Sequence, residues 1–309
     1  MQPLIIDAAE LTRLLPITDA IDALDRAFHG SLPLAPQRAR VELPSGELLL
    51  MPSVGASSFG VKLVTVAQDR SGSSLPVVQA AYVLFDSPRL SPVALIDGTA
   101  LTTLRTAAVS ALATRYLARP ESRTLAIFGA GVQGNAHLAA MMAVRPIEAV
   151  WVVSRTTAPA EELVQRAAAL GVHAAVAEPD VVAQADIICT CTTSPEPVFD
   201  GSHVVPGTHI NAVGAYRPDE RELDDQVVRR ARLVVETREA ALAEAGDLLI
   251  PIASGTIEPS AVVADLAEVV RGRSVRRHDQ DVTVFKSVGV AFEDLVVANA
   301  VHERASAVR

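Results

Sequence analysis

Thiols and aromatic rings are scarce in this chain: Cys189 and Cys191 are its two cysteines, and Phe, Tyr and Trp make up 4% of its 309 residues. So few cysteines exclude a disulfide-stapled secreted scaffold. One residue separates the pair, so on a strand both would face one side. No Cys or His stands at ligand spacing to complete a site, so no metal is expected and the pair reads as buried, apolar and reduced. Long apolar runs are missing as well, and none approaches the ~20 residues of a membrane span. The N-terminus shows no basic-then-apolar signal segment. A soluble, cytoplasmic protein with no membrane partner is expected. Positive charge is also short, with 27 basic against 36 acidic residues and a formal charge of −9, which argues against nucleic acid. A local basic pocket for a carboxylate remains compatible with that balance.

What is present is aliphatic. Hydrophobic residues make up 50% of the chain, and with few rings among them the cores should be Val, Ala, Leu and Ile, as where parallel strands are buried on both faces. The length suits two domains.

The most informative segment runs from Leu125 to Gly134 and continues into Asn135–Met142. An apolar strand enters a glycine turn and then a helix, the context that the dinucleotide fingerprint requires. Gly129 makes the tight turn, Gly131 leaves room for a pyrophosphate at the helix N-terminus, and Gly134 lets helix and strand pack closely. Gly129, Ala130, Gly131, Val132 and Gln133 form the expected cradle. About twenty residues on, the strand Val150–Val153 ends at Ser154-Arg155-Thr156. NAD sites usually carry Asp or Glu there, whereas Arg suits a 2′-phosphate. This predicts NADPH as the favoured cofactor, with NADH possible.

Apolar stripes and breakers give the organisation. A helix is expected over Thr18–Phe28, then strands at Glu47–Met51, Val61–Val66, Val77–Phe85 and Val93–Ile96. A long helix covers about Ala100–Ala118 and stops at Pro120. Strands near Thr124, Val150, Ala174–Val176, Ile187–Thr190, His209–Val213 and Leu233–Glu236 then alternate with helices at Glu161–Leu170 and Asp180–Gln184, as a doubly wound sheet requires. Strand Val282–Lys286 and helix Phe292–Arg304 suggest a return to the first domain. The expected fold is α/β: a Rossmann-type nucleotide domain, residues 120–281, inserted into a mixed α+β substrate and dimerisation domain, residues 1–119 and 282–309.

Several segments in order resemble the ornithine cyclodeaminase / mu-crystallin family: GELLLMPS at Gly46–Ser53, GVKLVTV at Gly60–Val66 and LTTLRTAAVSALATRYLA at Leu101–Ala118. FGAGVQGNAH at Phe128–His137, INAVGAYRPDERELD at Ile210–Asp224 and FKSVG at Phe285–Gly289 continue the series. The resemblance implies a homodimer built through the non-nucleotide domain and hydride transfer between amino acids and imines or ketimines.

The basic residues suit that chemistry. Lys62 lies in a strongly apolar strand and Arg105 in an Ala/Leu-rich helix, where burial without a partner would be costly. A substrate carboxylate would supply one, although an exposed lysine and a snorkelling arginine would need none. The family's other substrate arginine falls on Arg38, with Arg40 as the alternative if the match slips. Arg38 and Arg105 are then expected on the carboxylate, and Lys62 orients the substrate and helps protonate or polarise its nitrogen.

One departure redirects the substrate. Cyclodeaminases and several amino-acid dehydrogenases of the family carry an aspartate after Gly-Gly or Gly-Ala, where this chain has Gly214-Ala215-Tyr216, with Asp219 and Glu220 further on. Tyrosine is a poor base near neutral pH. Cyclic ketimine reduction therefore becomes the favoured activity: Δ1-pyrroline-2-carboxylate or Δ1-piperideine-2-carboxylate to L-proline or L-pipecolate. An amino-acid dehydrogenase or ornithine cyclodeaminase using NAD(H), and a non-catalytic NADPH- or ligand-binding protein, are the alternatives. Tyr216 either packs over the substrate ring or is a structural loop aromatic. Thr192, Thr193 and Ser194, with Val213 and Gly214, end strands near the expected nicotinamide edge. Lys286 matches a family segment near the active site or else pairs with an acidic group. His137 is expected to serve packing or the helix surface.

Overall fold

Alternation of buried and less buried positions along residues 46–53 and 58–64 marks one sheet, and short apolar strands, buried throughout at its centre, build another. The computed structural model describes residues 2–67 and 75–308. They fall into two units, one comprising Met1–Arg105 and Val290–Arg309, the other Thr106–Gly289.

The first unit opens with β1 (Leu4–Ile6), α1 (Ala8–Leu14) and α2 (Ile17–His29). Asp7 caps α1 by accepting the Glu10 amide at 2.8 Å. Strands β2 (Ala39–Leu43), β3 (Gly46–Val54), β4 (Ser58–Ala67), β5 (Val78–Asp86) and β6 (Ser91–Asp97) follow. The sheet order is β1-β6-β5-β4-β3-β2, antiparallel except for the parallel β1–β6 pair. On β4 the buried positions are Ser58, Gly60, Lys62 and Val64, so the lysine points inward. Strand β2 is exposed at every position, so no alternation marked it in the sequence.

Helix α3 (Gly98–Leu117) starts where Asp97 accepts the Thr99 and Ala100 amides at 3.0 and 2.9 Å. The division into units passes through it, between Arg105 and Thr106. The second unit contains β7 (Thr124–Phe128), α4 (Val132–Val144), β8 (Ala149–Val153), α5 (Thr157–Ala169), β9 (His173–Val176), β10 (Ile187–Thr190) and β11 (His209–Ala212). It continues with α6 (Asp225–Arg230), β12 (Arg232–Val235), α7 (Arg238–Glu244), α8 (Gly246–Ala253), β13 (Val262–Asp265), α9 (Leu266–Val270) and β14 (Thr283–Lys286). These strands form one parallel sheet in the order β13-β12-β14-β11-β10-β7-β8-β9. Strand order reverses between β7 and β10, the switch point at which such sheets bind ligands.

Strand β14 corrects one expectation. It does not return to the first unit but lies between β11 and β12, with Val284 opposite both Ile210 and Leu233. Only the last helix, α10 (Ala291–Ala307), goes back. In the second unit His137 is buried, with its ring nitrogens 2.8 Å from the Gln133 carbonyl and 3.0 Å from the Ser110 hydroxyl; burial lowers its pKa to about 4. Cys189 is buried in β10, and burial raises its thiol pKa to about 12. Among the described residues no helix is long and apolar enough to cross a membrane.

Arg145 closes the C-terminus of α3. Its Nη2 donates to the carbonyls of Thr114, Arg115 and Ala118 at 2.7, 3.0 and 2.8 Å. Thr114 already accepts the Ala118 amide at 3.0 Å, so the arginine chiefly serves the free carbonyls at the helix end, where a cation is favoured. Arg145→Ala should lower unfolding free energy by about 2–4 kcal/mol in denaturant titration, and Arg145→Lys should recover less than half, because an ammonium cannot fan across three carbonyls.

Candidate active site

In the first unit, four ionisable side chains meet in the interior. Lys62 Nζ donates to Asp294 Oδ1 at 2.9 Å and lies 2.8 Å from Oδ2. Arg105 lies 3.2 Å from Glu293 Oε2 and 3.3 Å from Asp294 Oδ1. Both carboxylates are fully buried, and Lys62 is 1% exposed. Charges so placed are tolerable only in mutual pairing. Burial lowers the Lys62 pKa to about 8; Asp294 opposes that shift, while the positive fields of Arg105 and Arg38 add to it.

Arg38, half-buried ahead of β2, thus acts electrostatically on the lysine, whereas Arg40 is tied to Glu47 at 2.9 Å. Tyr82 stands opposite Lys62 on β5, wholly buried, and burial followed by the Asp294 charge drives its pKa upward. Sequence reasoning singled out Lys62, Arg105 and Arg38 but not Glu293, Asp294 and Tyr82, which the structure places beside Lys62 and Arg105. Two adjacent acids in the otherwise apolar stretch Ala291–Ala298 were the available signal.

In the second unit the glycine turn follows β7. Gly129 has φ 96°, and a Cβ there would lie 2.5 Å from the Cys191 carbonyl oxygen. A Cβ on Gly134 would lie 2.0 Å from the Gly129 oxygen, whereas one on Gly131 would meet nothing within 4 Å. The backbone at Gly131 is thus open at the start of α4, with no side chain capping the helix. Val132 is 60% exposed beside it, and Ala130 is buried beneath. An open helix N-terminus behind a tight turn fits a pyrophosphate.

Ser154, Arg155 and Thr156 end β8 as expected, with Arg155 and Thr156 exposed. Thr192, Thr193, Ser194, Val213 and Gly214 lie just beyond β10 and β11. A residue not anticipated holds both loops. Glu222 is fully buried and accepts hydrogen bonds from the Thr190 hydroxyl (2.8 Å), the Thr192 amide (2.8 Å) and hydroxyl (2.7 Å), and the Gly214 and Ala215 amides (2.7 and 3.3 Å). Burial raises its pKa and Lys286 counteracts this. Lys286 is itself buried, 2.8 Å from Asp247 Oδ2, and donates to the Ala215 carbonyl. It lies inside this brace rather than on an open cofactor surface. Tyr216 packs against the core of the second unit, and Asp219 and Glu220 pair with Arg217.

A parallel sheet with this turn at its switch point is the architecture of a dinucleotide-binding protein. The chain belongs to the ornithine cyclodeaminase/mu-crystallin family, whose profile matches residues 1–309. It is 35% identical to a Δ1-pyrroline-2-carboxylate reductase of Bacillus cereus, over 98% of this chain and 96% of that protein. The structure of the Thermococcus litoralis Δ1-pyrroline-2-carboxylate reductase, in complex with NADH and L-proline, matches with a TM-score of 0.94 and 36% identity, covering 98% of each chain. An archaeal alanine dehydrogenase dimer with bound NAD matches with a TM-score of 0.94 and 30% identity, covering 99% of this chain and 97% of its own. This protein is accordingly an NAD(P)H-dependent oxidoreductase acting on C=N or CH–NH bonds.

These structures correct the expectation of NADPH, because they hold NADH and NAD. Physically, Arg155 is exposed, and the Ser154 hydroxyl lies 3.4 Å from that of Thr156. Neutral hydroxyls at a strand end can serve a ribose 2′-hydroxyl without an acid, so one exposed guanidinium does not define a 2′-phosphate site.

Glu222→Ala should release both loops at once. Isothermal titration should show NADH Kd rising about tenfold or more, equivalent to about 1.4 kcal/mol, while Glu222→Gln, which places donors against donors, should do no better.

Proposed function

We propose that the protein reduces a cyclic α-imino acid with NADH, Δ1-pyrroline-2-carboxylate or Δ1-piperideine-2-carboxylate, to L-proline or L-pipecolate. The observation that carries this reading is the buried Lys62 ammonium joined to Asp294, with Arg105 and Arg38 acting on it. Lys62 and Arg105 pair with Asp294 and Glu293, and Arg38 adds its positive field to the same group, a setting that suits a substrate carboxylate. Similarity to two pyrroline-2-carboxylate reductases supports the same substrate class.

In this mechanism Arg38 and Arg105 grip the substrate carboxylate, for which a guanidinium fork is geometrically suited. Lys62 holds the proton at the ring nitrogen. Its pKa of about 8 leaves it charged at neutral pH yet near the point of release, where a general acid works best. Asp294 fixes the ammonium and balances its charge. Residues Gly129–Gln133 and the loops braced by Glu222 hold the dinucleotide, with Ser154, Arg155 and Thr156 at its ribose end. When bound, the nicotinamide supplies a hydride to the imine carbon. Gly214-Ala215-Tyr216 brings no carboxylate to act as a base on an amine, which disfavours alanine oxidation and ornithine cyclisation.

We also propose a homodimer, joined through the outer face of the first unit's sheet. Ile5, Leu95, Val83 and Val61 form one cross-strand row on that face, with Leu63 two residues beyond Val61. Ile5, Leu95 and Leu63 are 68%, 42% and 38% exposed, an apolar surface of the kind that marks an interface. The two free cysteines fit a reducing cytoplasm.

The decisive assay follows NADH oxidation with Δ1-pyrroline-2-carboxylate and identifies proline by chromatography. Turnover with NAD+ and alanine or ornithine, but none with the imine, would replace this reading with the dehydrogenase or cyclodeaminase one. Lys62→Met should lower kcat/KM by about 10²–10⁴ while NADH Kd stays within about twofold. Because the Lys62 pKa is lowered to about 8, its ammonium is present below that value and lost above it. Reduction should therefore weaken as pH rises through about 8, and Lys62→Arg should abolish this limb. Leu63→Glu combined with Leu95→Glu should yield monomers by light scattering.

A further inference from the structure

A second basic site lies along β13, the edge strand of the parallel sheet, far from the glycine turn. Four strands separate β13 from β7, a distance of about 24 Å at ~4.8 Å per strand. Arg232, Arg238, Arg273 and Arg277 converge there with Ser260 and Ser274 around a cavity of about 320 Å³. No acidic residue lines it.

Two of the guanidinium groups are held in place. Glu268 pairs with Arg238 at 3.3 Å and with Arg273, while also accepting the Asp265 amide at 3.0 Å. Arg238 additionally donates to the Val262 carbonyl. The other two lie near Asp281, which acts electrostatically on Arg232, yet donor capacity remains. The Arg232 Nε is buried with no hydrogen-bond partner, and the Arg277 side chain is exposed while its amide donates to Asp281 at 2.8 Å.

An enclosed guanidinium donor without an acceptor is costly and calls for an anion or a water. Charges on an edge strand also discourage strand pairing, but that purpose requires no enclosed donor and no concavity. In a chain of formal charge −9, four arginines around one cavity are a local inversion of sign.

We propose that this cavity binds a small polyvalent phosphate, the phosphate group of a metabolite or inorganic pyrophosphate, as an anion site separate from the dinucleotide cradle. Arginine forks match phosphate oxygens bidentately, and the serine hydroxyls complete the donor set. The volume admits a ligand of that size.

The test uses the full chain saturated with NADH, so that the glycine turn is occupied, and titrates inorganic pyrophosphate by calorimetry. One equivalent should bind, and Arg232→Gln with Arg277→Gln should weaken it at least tenfold while NADH affinity stays within twofold. Arg232→Lys should fall between the two and guards against misfolding. Parallel titrations with AMP and with citrate distinguish a phosphorylated metabolite from the inorganic ion and from a polycarboxylate. Binding of citrate but not pyrophosphate would overturn the proposal. So would loss of binding when NADH is present, unchanged affinity in the double variant, or no binding to the parent protein.

Discussion

Two neighbouring carboxylates, both fully buried, constrain the first unit more than any other feature. Glu293 and Asp294 stand at the start of α10, fully buried, and Lys62 on β4 and Arg105 on α3 bring opposite charge to them at ion-pair distance. Removing either partner would leave a charge stranded in an apolar medium, a penalty of about 3–5 kcal/mol. The inward turn of Lys62 on β4 and the return of the final helix to the first unit follow from the same demand. That demand also produces the reactive character of the lysine, since the burial that makes its charge expensive brings its proton within reach of neutral pH.

The second unit solves a similar problem with one carboxylate and many amides. Glu222 gathers the ends of β10 and β11, and Asp247 in turn accepts the Glu222 and Leu223 amides at 2.8 Å each. Glu236 does the same beyond β14, accepting from the Ser287 hydroxyl and from the Val288 and Gly289 amides. Loop backbone at a strand end must satisfy its donors somewhere. Here buried acids satisfy them and fix the loop geometry in the same act.

How much of this was legible depended on whether the signal was local. The glycine turn could be read because each glycine answers a backbone requirement, positive φ at Gly129 and close approach at Gly134. Strands β3 to β6 could be read from apolar segments set off by Gly, Pro, Ser and Asp, and α3 and α10 from length and flanking breakers. The place of β14 could not, since sheet order is not chain order: a strand following four short helices joined the sheet between two earlier ones. Lys62, Arg105 and Arg38 were noticed because cations in apolar stretches or family segments stand out. Glu293 and Asp294 were not, because adjacent acids in a helix's first turn look like an ordinary response to the helix dipole. Glu222 escaped for a different reason, since it sits in an irregular, charge-rich segment where nothing periodic marks an interior position. The cofactor preference failed where one exposed side chain was asked to decide it.

The cysteines have one more consequence. Both thiols of the chain lie at the end of a single central strand, and Cys189 is sealed there with its pKa raised to about 12. A thiol so placed reacts with an alkylating reagent only after β10 separates from its neighbours. The rate of Cys189 modification is therefore a built-in clock for the opening of the sheet's centre, and any ligand that holds the sheet together will slow it.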